Sequence, residues 1–390
     1  MGIFVSEALE LKEFSRELRR DFHRHPELGF QEVRTAGIVS QELKKLGLEV
    51  RSGVARTGVV GLLEGGKAGP VILVRFDMDA LPIQEESGAE YASQKPGVMH
   101  ACGHDGHTAI GLTVAHLLSR RQKDLSGSVK FVFQPAEEGL GGAEGMIAEG
   151  VLAHPKPDYA FALHLWNEKP VGWFGVTPGP LMAASEVFQI RLIGKGGHGA
   201  LPHLAIDPIT GASQIVSALQ TIASRNVSPL RSVAISVTSI HAGETFNVIP
   251  QWVELKGTIR TFDSQVRQYV LRRFQEIVAG VGQAMGCQVE INLQMLTPAV
   301  VNDAQVAKRV SEVGRRLFPD AAFDDTFQTM VSEDMAYMMQ DIPGCYFLVG
   351  SANFEKGLDA PHHHPRFDID EEALPMAAAL MSAVIANHLQ

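Results

Sequence analysis

Apolar and polar positions follow two different rhythms along this chain. Residues 7 to 25 carry Leu9, Leu11, Phe14, Leu18 and Phe22 near helical spacing, which predicts an amphipathic helix, and a second helix is expected at about 34 to 46, stopping at Gly47. VVGLLEG reads as a strand, and PVILVRFDMDALP, GSVKFVFQPAEEG and PDYAFALHLW are apolar runs as expected of strands covered on both faces. Between the second and third of them lies a helical stretch, CGHDGHTAIGLTVAHLLSRR. Strands alternating with helices imply an α/β domain with a mixed, mostly parallel sheet flanked by helices.

From about residue 184 the rhythm changes. SEVFQIRLIGKGG alternates apolar and polar like a half-exposed strand; a helix is expected at 206 to 224, then strands SVAISVTSI and QWVELKGTIRTF, a helix at 264 to 285 and a strand CQVEINLQ. This β-α-β-β-α-β order describes a two-layer module inserted into the larger domain. The expected boundaries are 1–183 and 297–390 for the split domain and 184–296 for the insert. After the insert, PGCYFLVGS reads as another buried strand and residues 371 to 387 as a closing helix.

Composition narrows the class of partner. The 390 residues are 45% hydrophobic and 20% charged with a formal net charge of −10, and no Lys/Arg-rich tract interrupts them. A nucleic-acid or anionic-lipid partner is therefore not expected, and a small molecule is. Three cysteines cannot form a disulfide framework for a chain of this length, which fits a reducing cytoplasm. Glu7, Glu10 and Glu13 stand where a signal peptide needs a basic start, and the apolar stretch PMAAALMSAVIAN is shorter than the ~20 residues that span a bilayer, so no membrane insertion is expected. The 15 histidines bunch around MHACGHDGHT and PHHHP, and that bunching points to chemistry.

Cys102 and His104 are two apart, so an extended segment places both on one side, and thiolate and imidazole both suit zinc-like ions. His107 reads as a helix-start residue without a metal, and Asp105 as a cap or the partner of a ligand. Glu137 and Glu138 follow a buried strand, where adjacent carboxylates are costly unless a cation or proton separates their charges; the plain alternative is a solvated acidic loop. His164 ends an apolar strand and reads equally as a satisfied core histidine. His362, His363 and His364 stand before Pro365 in a turn suited to presenting ligands. Asp77 and Asp79 end a buried strand, either capping the next turn or orienting a ligand histidine.

Together Cys102, His104, Glu138, His164 and one histidine of 362–364 are too many ligands for one four-coordinate structural zinc. They suit two metal ions sharing a water, at the carboxyl ends of strands in an open sheet. GKGGHG at 194–199 matches a dinucleotide-binding pattern only formally, because Pro202 follows where a helix should open and residue 219 is Leu rather than an acid. No serine-hydrolase elbow or phosphate-binding loop is present in the sequence.

The segments RRDFHRHPELGFQE, RFDMDALPI, MHACGHDGHTA, FQPAEEGLGGAEGMI, GKGGHGALPH, NVIP, GTIRTFD and HHPRFDIDEEAL resemble, in order, the motifs of the M20 metallopeptidase family, in its amidohydrolase branch. The resemblance implies a catalytic α/β domain holding two divalent metal ions, with zinc, manganese, cobalt and nickel left open, and an inserted lid or dimerisation domain. By the motif match Cys102, His104, Glu138, His164 and His363 are metal ligands, with His362 the alternative to His363. Glu137 matches the general base, Asp79 the buried orienting aspartate, and His198 the histidine that helps stabilise the tetrahedral intermediate, often from a partner subunit. Asn247 and Arg260 match positions that bind the substrate carboxylate. The activity implied is hydrolysis of N-acyl amino acids of the hippurate or N-acetyl type by a cytoplasmic homodimer or tetramer. The rivals are a dipeptidase or carboxypeptidase of the same family, or a metal-binding protein that has lost catalysis.

Overall fold

The apolar runs lie side by side in one mixed sheet. In the computed structural model, which describes residues 2–389, the strands Glu49–Val54, Gly58–Glu64, Ser126–Gln134, Lys67–Asp77, Tyr159–Pro170, Gly344–Ala352, Trp173–Gly175 and Ala322–Asp324 follow one another in that order across an eight-stranded sheet. The four central strands, from Ser126–Gln134 to Gly344–Ala352, are parallel, while Gly58–Glu64 and Trp173–Gly175 join them antiparallel. Residues 72–77 and 129–134 are buried without a break, which explains why these strands read as continuous apolar runs.

The helix His104–Ser119 lies on this sheet, and the helices Lys12–Arg24 and Ala373–His388 pack against it. Nearly all of its residues are buried, its polar first turn with Asp105 and His107 included. Gly111 marks the closest approach: a Cβ there would stand 2.6 Å from the Phe76 ring and 2.8 Å from that of Phe133. The single helix expected over 7 to 25 is in fact two, Gly2–Glu10 and Lys12–Arg24, because Leu11 with φ −89° and ψ 6° breaks the run. Leu9, expected on the apolar face, is exposed, whereas Phe4 and Ala8 are buried.

The chain divides into two compact units, one comprising residues up to Leu181, Val301–Gln328 and Asp334 onward, the other Met182–Val300 with Thr329–Glu333. No sequence signal assigns the short 329–333 segment. In the second unit the strands Val233–Ala242, Trp252–Thr261, Ala184–Ile193 and Gln288–Thr297 form an antiparallel sheet in that order. Its helices, Pro208–Thr221 and Ser264–Ala284, start where Asp207 and Asp263 cap them; Asp263 accepts the N–H groups of Gln265 and Val266 at 2.8 and 2.9 Å. Phe188, Ile190, Leu192, Val253, Leu255 and Phe274 fill the space between the layers. Among the described residues no helix is long and apolar enough to cross a membrane, and all three cysteines are free.

Candidate metal centre

The parallel register brings the candidate ligands together within the first unit. Arg75 pairs with Ala162, so two residues further along both strands stand Asp77 and His164. Cys102 and His104 enter from the start of the helix above them, and Glu137 and Glu138 follow the strand Ser126–Gln134. His363 arrives on the loop before the closing helix, its backbone in the left-handed region at φ 65° and its N–H bonded to the Ala101 carbonyl at 2.8 Å.

Ligand-type atoms of Cys102, His104 and His164 lie within 4.8 Å of one another, as do those of Cys102, Glu138 and His363 and those of His104, Glu137 and Glu138. The first two groups overlap at Cys102, which places its sulfur between two sets of donors. The Cys102 Sγ is 3.4 Å from His164 Nε2, and His363 Nε2 is 3.2 Å from Glu138 Oε1. His362 points elsewhere, with its Nε2 2.9 Å from the Leu165 carbonyl oxygen.

Hydrogen bonds fix which imidazole nitrogen is available. His104 directs Nδ1 at the Asp79 carbonyl oxygen (2.9 Å) and at its Oδ1 (3.3 Å), leaving a buried Nε2 with no hydrogen-bond partner. His164 Nδ1 donates to the Leu165 carbonyl at 2.7 Å, which also leaves Nε2 as the free lone pair. Asp79 serves both sides of the site, since its Oδ2 accepts the Glu138 N–H at 3.1 Å. His107 has no nitrogen to spare: Nδ1 lies 2.6 Å from Asp77 Oδ1, and Nε2 accepts the Leu165 N–H at 2.9 Å. Asp105 makes no helix cap; it is buried against Arg19 and His23 at 2.8 and 2.7 Å.

The electrostatics call for positive charge. Burial pushes the Cys102 thiol well above its usual range, and Glu138, Glu137 and Asp77 push it further the same way. Burial lowers the His104 imidazole, but Asp77, Asp79 and Glu138 more than reverse this and hold it up to about 10. Burial alone would raise the Asp77 carboxyl, yet His104, His107 and Arg75 keep it well below the usual range. A thiol, two adjacent carboxylates and an imidazole nitrogen without a hydrogen-bond partner therefore fit divalent cations, in donor type as well as in charge.

Residues 73–387 match the model of Peptidase family M20/M25/M40. The chain belongs to that family. Like other M20 members it is a hydrolase acting on amide bonds. It is 41% identical over 362 residues to an N-acetylcysteine deacetylase of Bacillus subtilis strain 168, covering 93% of each chain. It is 36% identical over 390 residues to a hippurate hydrolase of Campylobacter jejuni, covering 99% of each. A solved Bacillus subtilis structure described as a dinuclear metal binding peptidase from the M20 family superposes with a TM-score of 0.86 at 36% identity, over 97% of this chain and 99% of that one.

Three candidates of this M20 chain belong to the second unit. His198 is exposed on a short ribbon opposite Val248, and its Nδ1 accepts the Ala200 N–H at 3.0 Å. Asn247 is exposed on the same ribbon and its carbonyl accepts the Gly199 N–H at 2.8 Å. Arg260 is half-buried and hydrogen-bonded to the Ser185 hydroxyl, while the nearby Glu186 is ion-paired with Arg267. Sequence reasoning missed Arg75, Gln134 and Asp334, a buried cluster beneath Asp77. The Arg75 guanidinium donates to Gln134 Oε1 (2.8 Å), Asp77 Oδ2 (2.6 Å) and Asp334 Oδ1 (3.0 Å). Its one available signal was a charged residue inside the otherwise apolar run VILVRF.

Proposed function

We propose that this M20 hydrolase cleaves the amide bond of N-acyl amino acids, taking up one water and releasing a carboxylic acid and a free amino acid. The observation that carries the reading is Glu137 beside Glu138 at a cluster of thiol and imidazole donors, one of which, His104 Nε2, is buried without a hydrogen-bond partner. The substrates named for the deacetylase and the hippurate hydrolase, both similar over nearly the whole chain, support it.

Cys102, His104, Glu138, His164 and His363 would hold two divalent ions, of zinc, manganese, cobalt or nickel. Such ions supply a water of lowered pKa and polarise the amide carbonyl. Glu137 takes the proton of the attacking water and returns it to the departing amine. Asp79 fixes the His104 ring, and His198 donates to the developing oxyanion. Asn247 and Arg260 bind the substrate carboxylate.

The second unit is read as a lid and dimerisation domain, with His198 supplied by a second copy of the chain. Its edge strand, VAISVTSIHA, supports this, because ten residues without Asp, Glu, Lys, Arg or Pro make a ready template for pairing. Mixing the Glu137→Gln and His198→Ala variants, each impaired alone, is expected to restore activity through mixed dimers with one complete site. A mixture no more active than its components rules out an exchanged His198. A reduced Cys102 thiol fits a cytoplasmic setting.

The test of the proposed reaction is a substrate profile on protein depleted of metal with a chelator and then reconstituted with each of the four ions. Hippurate or N-acetyl amino acids are expected to be cleaved faster than free dipeptides, and only after reconstitution. Preference for dipeptides would replace the reading with a dipeptidase, and no cleavage of any amide would leave a metal-binding protein.

A further inference from the structure

The segment PELGFQE, residues 26–32, has no part in the chemistry above, yet it lies between the two loops that carry the site's acids. On one side Leu28 forms a bridge with Ala80, and the Ala80 N–H donates to the Glu27 carbonyl at 2.8 Å, directly after Asp79. On the other side Gly29 abuts Ala136: a Cβ on Gly29 would stand 3.1 Å from the Ala136 Cα and Cβ and 2.7 Å from Leu140 Cδ1. Glu32 completes this contact. It is wholly buried; its Oε1 accepts the Ala136 N–H at 2.9 Å and its Oε2 accepts the Thr57 hydroxyl at 2.5 Å.

Ala136 is where the backbone is forced. It sits at φ 56°, in the left-handed region that a residue with a Cβ rarely adopts, and it is fully buried. Such a conformation persists only when its surroundings over-determine it. Here both of its hydrogen-bonding groups are held, the N–H by Glu32 and the carbonyl by the Gly142 N–H at 3.1 Å. The next two residues are Glu137 and Glu138, so the turn at Ala136 sets the direction in which both leave the strand Ser126–Gln134.

We propose that Glu32 is a positioning residue for the acid pair: its buried carboxylate locks Ala136 in the left-handed turn and thereby aims Glu137 at the reacting water. The proposal rests on the reading of Glu137 as the base. A carboxylate that acts only through the aim of Glu137 changes turnover more than substrate binding, and an oxygen acceptor without charge replaces it.

The experiment measures kcat, KM, metal content and folded fraction for metal-reconstituted full-length variants. Glu32→Ala is expected to lower kcat per folded molecule by about 100-fold with KM changed less than about threefold, the size of effect that an ångström of misplacement produces. Glu32→Gln, which keeps an oxygen for the Ala136 N–H, restores most of that rate. Adding Ala136→Gly to Glu32→Ala recovers at least about tenfold, because glycine occupies positive φ without penalty. Thr57→Val, which removes only the other hydrogen bond, leaves kcat near wild type. Where Glu32→Ala yields no folded protein, Glu32→Asp, one methylene too short to reach Ala136, carries the same test. An unchanged kcat in the shortened variant, a loss that merely follows the folded fraction, or an equal loss in Thr57→Val overturns the positioning role. Glu137→Gln measured alongside separates the two ideas: if it stays active, the assignment of the base fails; if it is inactive while the Glu32 variants are not, only the positioning role fails.

Discussion

Glu137→Gln is expected to keep its bound metal and to lose about three orders of magnitude in kcat, within the range that a positioned general base contributes. Glutamine has the same size and can still hydrogen-bond a water, but it cannot take the proton. Its neighbour Glu138 lies close to both Cys102 and His363, whereas Glu137 is grouped with His104 and Glu138 and, on another side, with Glu333 and Asp334. The substitution therefore leaves the set containing Cys102, Glu138 and His363 intact, so metal content by elemental analysis stays at the wild-type value. A variant within tenfold of wild type removes Glu137 from the role of base.

Arg75→Met is expected to cost about 3–5 kcal/mol of folding stability, the penalty for stripping the partner from buried charges. The guanidinium is completely buried and stands between Asp77 and Asp334, themselves almost fully buried. Methionine fills much of the same volume but leaves two carboxylates facing each other. Gln134 continues to donate to Asp334 at 2.7 and 2.9 Å and His107 remains beside Asp77, so the loss is partial rather than complete. Denaturant unfolding of the metal-free protein measures it without a contribution from bound ions. Adding Asp77→Asn to Arg75→Met should return part of the stability, since it removes one of the stranded charges. A loss below about 1 kcal/mol for the single variant would place the cluster in contact with water and contradict its burial.

The sequence made the candidate site legible because its members sit where apolar runs end. A polar residue at or just beyond the end of a buried strand, such as Asp77, Asp79 or Glu137, stands out in any reading of hydrophobic pattern. The supporting charges do not. Arg19 lies on an amphipathic helix, where a charged side chain reads as exposed, yet it is fully buried against Asp105, 86 positions away, and Asp368, 349 positions away. Periodicity records how a residue relates to its near neighbours and carries no trace of such partners. Glu32 and Ala136 illustrate the same limit: an alanine does not announce positive φ, and its hydrogen bond to Glu32 spans 104 positions. His362 and His363 are chemically identical in sequence, and only the folded loop shows that His362 turns to the Leu165 carbonyl while His363 turns to Glu138.

The second unit interrupts the first in the chain, and this sets the order in which a nascent molecule can acquire its parts. Residues 182–300 form a nearly continuous stretch that can collapse soon after leaving the ribosome. The strand Gly344–Ala352 and the loop bearing His363 are made only afterwards, although the strand belongs to the parallel centre of the larger sheet. Until they emerge, Tyr159–Pro170 has Lys67–Asp77 on one side but no strand on the other, and the proposed donor set lacks its last imidazole. On the proposed ligand set, metal loading therefore waits for the loop bearing His363, and a product truncated after the insert would carry Cys102 in an unfinished, open site.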